Sequence, residues 1–336
     1  MRSYSYGFCI AVLVLLTAAV FIIHVGTGFT YFSYDQLIRI LLGGGTPEER
    51  LTVFDFRLVR SILALLVGMG LSLSGTIFQT VSKNGLASPS LLGVNAGAGF
   101  AVLLLIYRQS ATEALPLWAL PVAAIAGASL TALIIYRLSY RKGRKTSMYT
   151  LILNGVSLAA GIHALEIVLI VRLDSTKFHQ VNAWIIGSIF GNSWGHVAVL
   201  LPVVAGLGLF LWFRHRDLDI LSLSDETAIG LGLDLNRSRF LYLMTAVVLA
   251  ACCVAVGGSI AFIGLICLIC PHIARRLVGV RHSRVLPAAA LLGALLLCTA
   301  DWVSRVIIAP DEMLVGTIVA LIGAPYFMYL FLKKPV

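Results

Sequence analysis

Charge is what this chain has least of. Only 12% of its 336 residues are Asp, Glu, Lys or Arg, about half the ~25% of a soluble domain. That supply cannot cover the surface of a soluble protein this size, so the composition excludes one. Polar stretches long enough for a separate soluble domain are also missing. So are the signatures of nucleotide and hydrolytic chemistry: there is no Walker A sequence, no HExxH and no serine nucleophile elbow. The glycine clusters in "LVGMGLSLSG" and "LLGVNAGAGF" follow no strand. A dinucleotide reading therefore fails its own context requirement, and close helix packing through small residues explains them instead. The six cysteines, at 9, 252, 253, 267, 270 and 298, all lie in apolar runs. Cys267 and Cys270 have CxxC spacing, but with no second pair and no ligand-rich loop they read as small packing residues. Neither a metal nor a cofactor is expected.

What the chain has is hydrophobicity, at 59% of its residues. A spanning helix needs about 20 apolar residues, and ten stretches qualify. They are Phe8 to Thr27, Ser61 to Thr80, Leu91 to Tyr107, Leu115 to Tyr136, Ser147 to Val171, Trp194 to Phe213, Phe240 to Ile260, Ala261 to Val278, Val285 to Val303 and Met313 to Leu332. Lipid offers the backbone no hydrogen-bond partner, so they must be helical. The fold class is therefore all-α, a polytopic membrane protein of about ten transmembrane helices, read as one helical membrane domain over residues 1–336. The first stretch runs too far past its single N-terminal Arg to suit a cleaved leader, although Gly26-Thr27-Gly28 offers a weak small-residue site.

Lys and Arg set the orientation. With a cytoplasmic N-terminus and ten crossings, 17 of the 25 basic residues fall inside and eight outside. The bias predicts both termini in the cytoplasm and accounts for the net charge of +10 without nucleic acid. It also puts "PHIARR" on the cytoplasmic side. The apolar part of that segment, Ile260 to Cys270, covers only about 17 Å as a helix, little more than half of a ~30 Å core. Either the helix continues through the arginines or the chain turns at Gly257-Gly258 and starts deep in the membrane.

The few polar residues inside these stretches are candidate sites. Glu166 has His163 one turn before it. Asp301 and Arg305 stand an i,i+4 step apart. Each reads either as functional or as a structural helix–helix or ion-pair contact. A proton-coupled secondary transporter would use Glu166 or Asp301, and an intramembrane enzyme would use His272. The longest cytoplasmic stretch, 214–239, holds "SDETAIGLG", where Ser224 reads as an N-cap with acid in the first turn and Gly232 as a stop. Such a short amphipathic helix either docks a soluble partner or lies on the protein's own surface.

Six stretches together are similar to the FecCD-type permeases, the membrane subunits of ABC importers for iron–siderophores, haem and vitamin B12. They are "RLVRSILALLVGMGLSLSGTIFQ", "NGLASPSLLGVNAGAG", "WIIGSIFGNSW", "DETAIGLGLDLNRSR" and "FIGLICLICPHIARRLVG" with "LVGTIVALIGAPYFMYL". The match runs from about Arg57 to the C-terminus. The resemblance implies the architecture of a type II ABC importer permease in a bacterial cell membrane. It implies a pathway between two permease subunits, identical or related, two cytoplasmic ATP-binding subunits and an extracytoplasmic binding protein. The cargo it implies is most commonly an Fe(III)-siderophore, with vitamin B12 or haem as alternatives, and the chain itself would be no enzyme. By motif, Arg57, Arg60 and Arg305 would dock acidic residues of the binding protein. Asp225, Glu226, Ala228, Leu231 and Gly232 would contact the ATPase within the 214–239 coupling loop. Gln79, Asn95, Glu166, Pro271 and His272 would line or gate the pathway.

Three departures stand out. A tandem Leu-Ile-Cys at 265–270 adds three residues before Pro271, a shift of roughly 4.5 Å and about 300° if helical. Gly85 and Leu314 replace prolines that the family usually carries.

Overall fold

The computed structural model describes residues 5–28, 32–109, 116, 118–139, 148–187, 189, 193–258, 260–307 and 313–332, and among them there is no strand. Ten long helices coincide with the ten predicted spans. They are α1 (Tyr6–Gly26), α4 (Val59–Ser82), α5 (Val94–Arg108), α6 (Ala119–Ser139), α7 (Met148–Ile170), α9 (Trp194–Phe213), α12 (Leu235–Gly257), α13 (Ile260–Val278), α14 (His282–Val306) and α15 (Val315–Leu332). Seven helices are long and apolar enough to cross a membrane by length and composition. Short helices fill the connections: α2 (Tyr34–Leu41), α3 (Pro47–Arg50), α8 (Ser175–Ile186), α10 (His215–Leu221) and α11 (Asp225–Gly230). A π-wound segment, Leu51–Leu58, runs straight into α4, and a 3-10 turn, Pro89–Leu92, precedes α5. Part of the basic residues on which the orientation rests, Arg2, the 141–145 cluster, Lys333 and Lys334, lie outside the described residues, as do 188 and 190–192 of the Trp184–Trp194 motif.

α4 is the axis of the bundle. It packs against α9, α12, α13 and α14, and it is buried along nearly its whole length. Its small residues make that possible. A β-carbon at Gly68 would collide with the Gly293 carbonyl of α14, and one at Gly75 with the Cys267 carbonyl of α13. At both points the helices touch backbone to backbone, the approach that glycine permits and any side chain prevents. Two serines of α4 tie it to its neighbours: Ser72 donates to the Ala289 carbonyl at 2.6 Å and Ser74 to the Ala246 carbonyl at 2.5 Å. Gly97 and Gly127 repeat the close approach between α5 and α6. α1, by contrast, exposes Leu15, Leu16 and Ile22, as suits a helix with one face in lipid.

The eighth segment combines a turn with a continuous helix. The chain turns at Gly258, in the left-handed region at φ 77, and α13 then runs unbroken through Pro271 to Val278. The tandem Leu-Ile-Cys is thus absorbed as helix, with Cys267 and Cys270 both buried. The six thiols are free and buried.

Candidate functional site

Charged side chains gather at the two ends of α4, and each end is a distinct polar site. At the N-terminal end the hub is Asp301 of α14, fully buried. Arg60 forks onto it, its Nε 3.1 Å from Oδ1 and 2.9 Å from Oδ2 and its Nη2 3.0 Å from Oδ1. His24 of α1 adds its Nε2 at 2.8 Å and holds the Ser61 hydroxyl at 2.6 Å through Nδ1. Arg305 stands further off, its Nε 3.6 Å from Oδ2. The i,i+4 pair that the sequence suggests is therefore the weakest arm of the cluster. The strong partners come from 241 and 277 residues away.

The arginines have a second task. A helix leaves its last carbonyls unpaired and its C-terminus partly negative. Arg57 donates to the carbonyls of Val25 and Gly26, at 3.2 Å each. Arg305 donates to those of His24 at 3.0 Å and Thr27 at 3.3 Å. Two guanidinium groups thus cap α1, and Arg57 also stacks on Phe32 at 4.8 Å. All three predicted docking arginines are buried; Arg60 and Arg305 face Asp301, and Arg57 holds the end of α1. On the 33–58 stretch that leads into α4 the exposed charges are Asp35, Arg39, Glu48, Arg50 and Asp55. His24 and Ser61 belong to this site and escaped the sequence reading. Their only signal is a lone His in the last turn of an apolar helix.

At the other end, Gln79 of α4 meets α13 one turn before Pro271. Proline has no N–H, so Pro271 leaves the carbonyl four residues earlier without its helical partner. That carbonyl belongs to Cys267, and the Gln79 amide donates to it at 3.1 Å, with Leu268 O at 3.3 Å. The Gln79 Oε1 accepts from Arg275. Gln79 is thereby enclosed between α4 and α13. His272 is half-buried, and Asn95 is buried at the start of α5. The His272 Nε2 and the Asn95 Oδ1 have no hydrogen-bond partner among the described residues. Glu166 bonds to His163 on its own helix, Nδ1 to Oε2 at 2.6 Å, and its other oxygen occupies the space that a β-carbon at Gly99 of α5 would need. These candidates are spread over several helices, and no single cavity in the described chain collects them.

The 214–239 stretch folds as anticipated at its centre. Ser224 caps α11, its hydroxyl accepting from Thr227 N at 3.2 Å. The helix ends where Gly232, at φ 83, turns the chain and Leu233 N reaches the Ala228 carbonyl at 3.1 Å. Ala228 is buried against the bundle. Glu226 faces solvent, together with Ile229 at 47% and Leu231 at 59% exposure. Asp225 points the other way, to Lys83 and Arg239. Partial burial pushes its carboxyl up, but those two cations outweigh it and hold the pKa below the ordinary value. Its share of stability is thus present above the ordinary carboxylate range and is lost only as the pH falls through the lowered value. One boundary differs from expectation. Asp234 caps α12 through Arg237 N at 3.1 Å, so 235–239 belong to a long helix rather than to the loop.

Comparison with known proteins gives a consistent result. The profile of the FecCD transport family matches residues 15–333. The iron(3+)-hydroxamate import system permease protein FhuG of Bacillus subtilis (strain 168) is 42% identical over 96% of both chains. The Fe(3+)-citrate import system permease protein YfmE of the same organism is 40% identical over 96% of this chain and 93% of its own. The hemin transport system permease protein HmuU of Yersinia pestis is 36% identical over 83% of each. Among solved structures, a chain described as an inward-facing metal-chelate type ABC transporter superposes with a TM-score of 0.84. It is 30% identical and covers 96% of this chain and 98% of its own.

Proposed function

The chain belongs to the FecCD transport family, membrane permeases whose ATP is hydrolysed by separate subunits, and on that premise we propose that it carries an Fe(III)-siderophore into the cytoplasm. In this reading two permease subunits, identical or related, enclose the path, two ATP-binding subunits drive it, and an extracytoplasmic binding protein delivers the cargo. Both termini and the 214–239 coupling loop lie in the cytoplasm, and the Arg60–Asp301 end of α4 faces out. The observation that carries the reading is the division of labour along α4. One end holds a rim of three buried arginines and the Asp301 carboxylate, and the other holds a short helix with solvent-facing apolar residues.

The rim suits an acidic partner. Two guanidinium groups on Asp301 and a third, Arg57, on the end of α1 supply a positive field that steers association even from buried positions. Arg57→Gln is expected to slow binding-protein association about tenfold at low salt and to flatten its salt dependence, while Arg57→Lys retains most of the rate. Stopped-flow binding to permease in nanodiscs measures this, and an unchanged rate for Arg57→Gln would remove the docking role.

At the loop, Ile229 and Leu231 present apolar surface to solvent, which a soluble partner would cover. Leu231→Asp is expected to weaken capture of the ATP-binding subunit by about 2 kcal/mol, roughly thirtyfold in Kd. Titration of that subunit onto the reconstituted permease reads it directly.

The cargo assignment leans on the hydroxamate relative. The citrate and haem relatives make those chelates the alternatives, with vitamin B12 behind them. Uptake of labelled ferric hydroxamate, ferric citrate and haem into proteoliposomes, with ATP inside and the binding protein outside, separates them. Uptake driven by a proton gradient without ATP would overturn the mechanism. Preference for citrate or haem would overturn the cargo alone.

A further inference from the structure

Each of the two short helices of the coupling loop is joined to the last turn of α4 through a carboxylate, Asp219 in α10 and Asp225 in α11, while a second carboxylate of α10, Asp217, accepts from the Tyr242 hydroxyl of α12 at 2.9 Å. Asp219 of α10 accepts from the His282 backbone N–H at 2.8 Å and contacts its Nδ1 at 2.7 Å. The other ring nitrogen of His282 reaches the Thr80 hydroxyl of α4 at 2.7 Å. Asp225 of α11 takes the Lys83 ammonium and two bonds from the Arg239 Nη2 of α12, at 2.9 and 3.1 Å. Thr80 and Lys83 are three residues apart, one turn of helix. The loop is thereby joined to α4, to α12 through Arg239 and to α14 through His282.

Lys83 is the informative residue. It closes α4 in the left-handed region at φ 53 and is the only non-glycine among the described residues with a positive φ. A side chain there costs about 1–2 kcal/mol, and glycine would close the helix without that penalty. Backbone geometry alone therefore disfavours lysine, and what lysine adds is an ammonium on Asp225. Stability is a poor account of it. The pair is 30% and 31% exposed, where an ion pair is worth only about 0–1 kcal/mol.

We infer that Asp225–Lys83 and Asp219–His282–Thr80 are positioning contacts of the transport cycle. They are two pins that make a displacement of the coupling loop a displacement of α4. A loop held only by apolar contact would slide when pulled. A loop pinned by charge at two points one turn apart transmits both translation and twist. The receiving helix is suited to pass it on, since its 24 residues span about 36 Å and end beside the Arg60–Asp301 cluster. This rests on the proposal that the loop meets the ATP-binding subunit.

The test uses the assembled transporter in nanodiscs and proteoliposomes, with Lys83→Gly as the main variant. Glycine keeps the left-handed turn and removes only the pin. Expected are normal insertion, binding of the ATP-binding subunit within twofold of the parent, and at least a fivefold fall in cargo moved per ATP hydrolysed. Lys83→Arg should restore most of that ratio, and Lys83→Gly with Asp225→Asn should be no worse than either alone. An unchanged transport-to-ATP ratio in Lys83→Gly overturns the inference, as does loss of subunit binding, which would place Lys83 in the docking surface. The underlying reading fails separately. If Leu231→Asp leaves the subunit bound, the docking assignment falls and this inference with it. If Leu231→Asp releases the subunit while Lys83→Gly transports normally, only the pins are wrong.

Discussion

Asp301→Asn is expected to be the most destabilising conservative change in the protein, lowering stability by about 3–5 kcal/mol, the usual cost of breaking a buried ion pair from one side. The reason is asymmetry. Asp301 is the single carboxylate that Arg60, His24 and Arg305 share. Its loss leaves those groups facing one another without the carboxylate they share. Arg60→Met is expected to cost less, because Asp301 keeps His24 and Arg305. Thermal unfolding in detergent ranks the two, and a ranking with Arg60→Met as the worse variant would show that Asp301 is not the hub. The change should also loosen the end of α1, whose terminal carbonyls are held by Arg305 and Arg57.

Gly75→Ala is expected to cost about 1–3 kcal/mol by overpacking and to abolish most uptake. The added methyl would sit on the Cys267 carbonyl of α13, backbone against backbone, where neither side can rotate away. The helices must separate, and that separation pulls the same carbonyl from the Gln79 amide one turn further along α4. The carbonyl freed by Pro271 is then buried without a partner, a further loss. Gly206→Ala in α9 is the control. Nothing lies within 4 Å of a β-carbon there, and alanine should favour the helix by about 1 kcal/mol. If Gly75→Ala matches Gly206→Ala in stability and uptake, α4 and α13 do not depend on their close approach.

The way the spans and the loop helix were legible differs from the way the arginine rim was. Each spanning helix is a local property, about 20 apolar residues that must satisfy their own backbone in lipid, so the ten predicted stretches meet ten helices within a few residues. The helix at Asp225 was legible for the same reason, since Ser224 and Gly232 act within one turn of it. The rim was legible as residue types, because its motif resembles a family's, but not as an arrangement. Arg305 has Asp301 at a helical spacing, yet Asp301 is claimed by Arg60 and His24 from other helices. Likewise nothing local to Gln79 shows that it serves a proline 192 residues downstream.

The sequence by itself determined that this protein lives in lipid, roughly where its spanning helices run, and which family it resembles. Those follow from hydrophobic length, capping chemistry and motif spacing, all of which are set by neighbours in the chain. Only the tertiary structure decided which buried charges pair, which carbonyls the arginines cap, and that Lys83 grips the loop helix. In a low-dielectric interior the energy of a charge depends on whatever stands within a few ångströms of it, and that neighbour is chosen by how the helices pack.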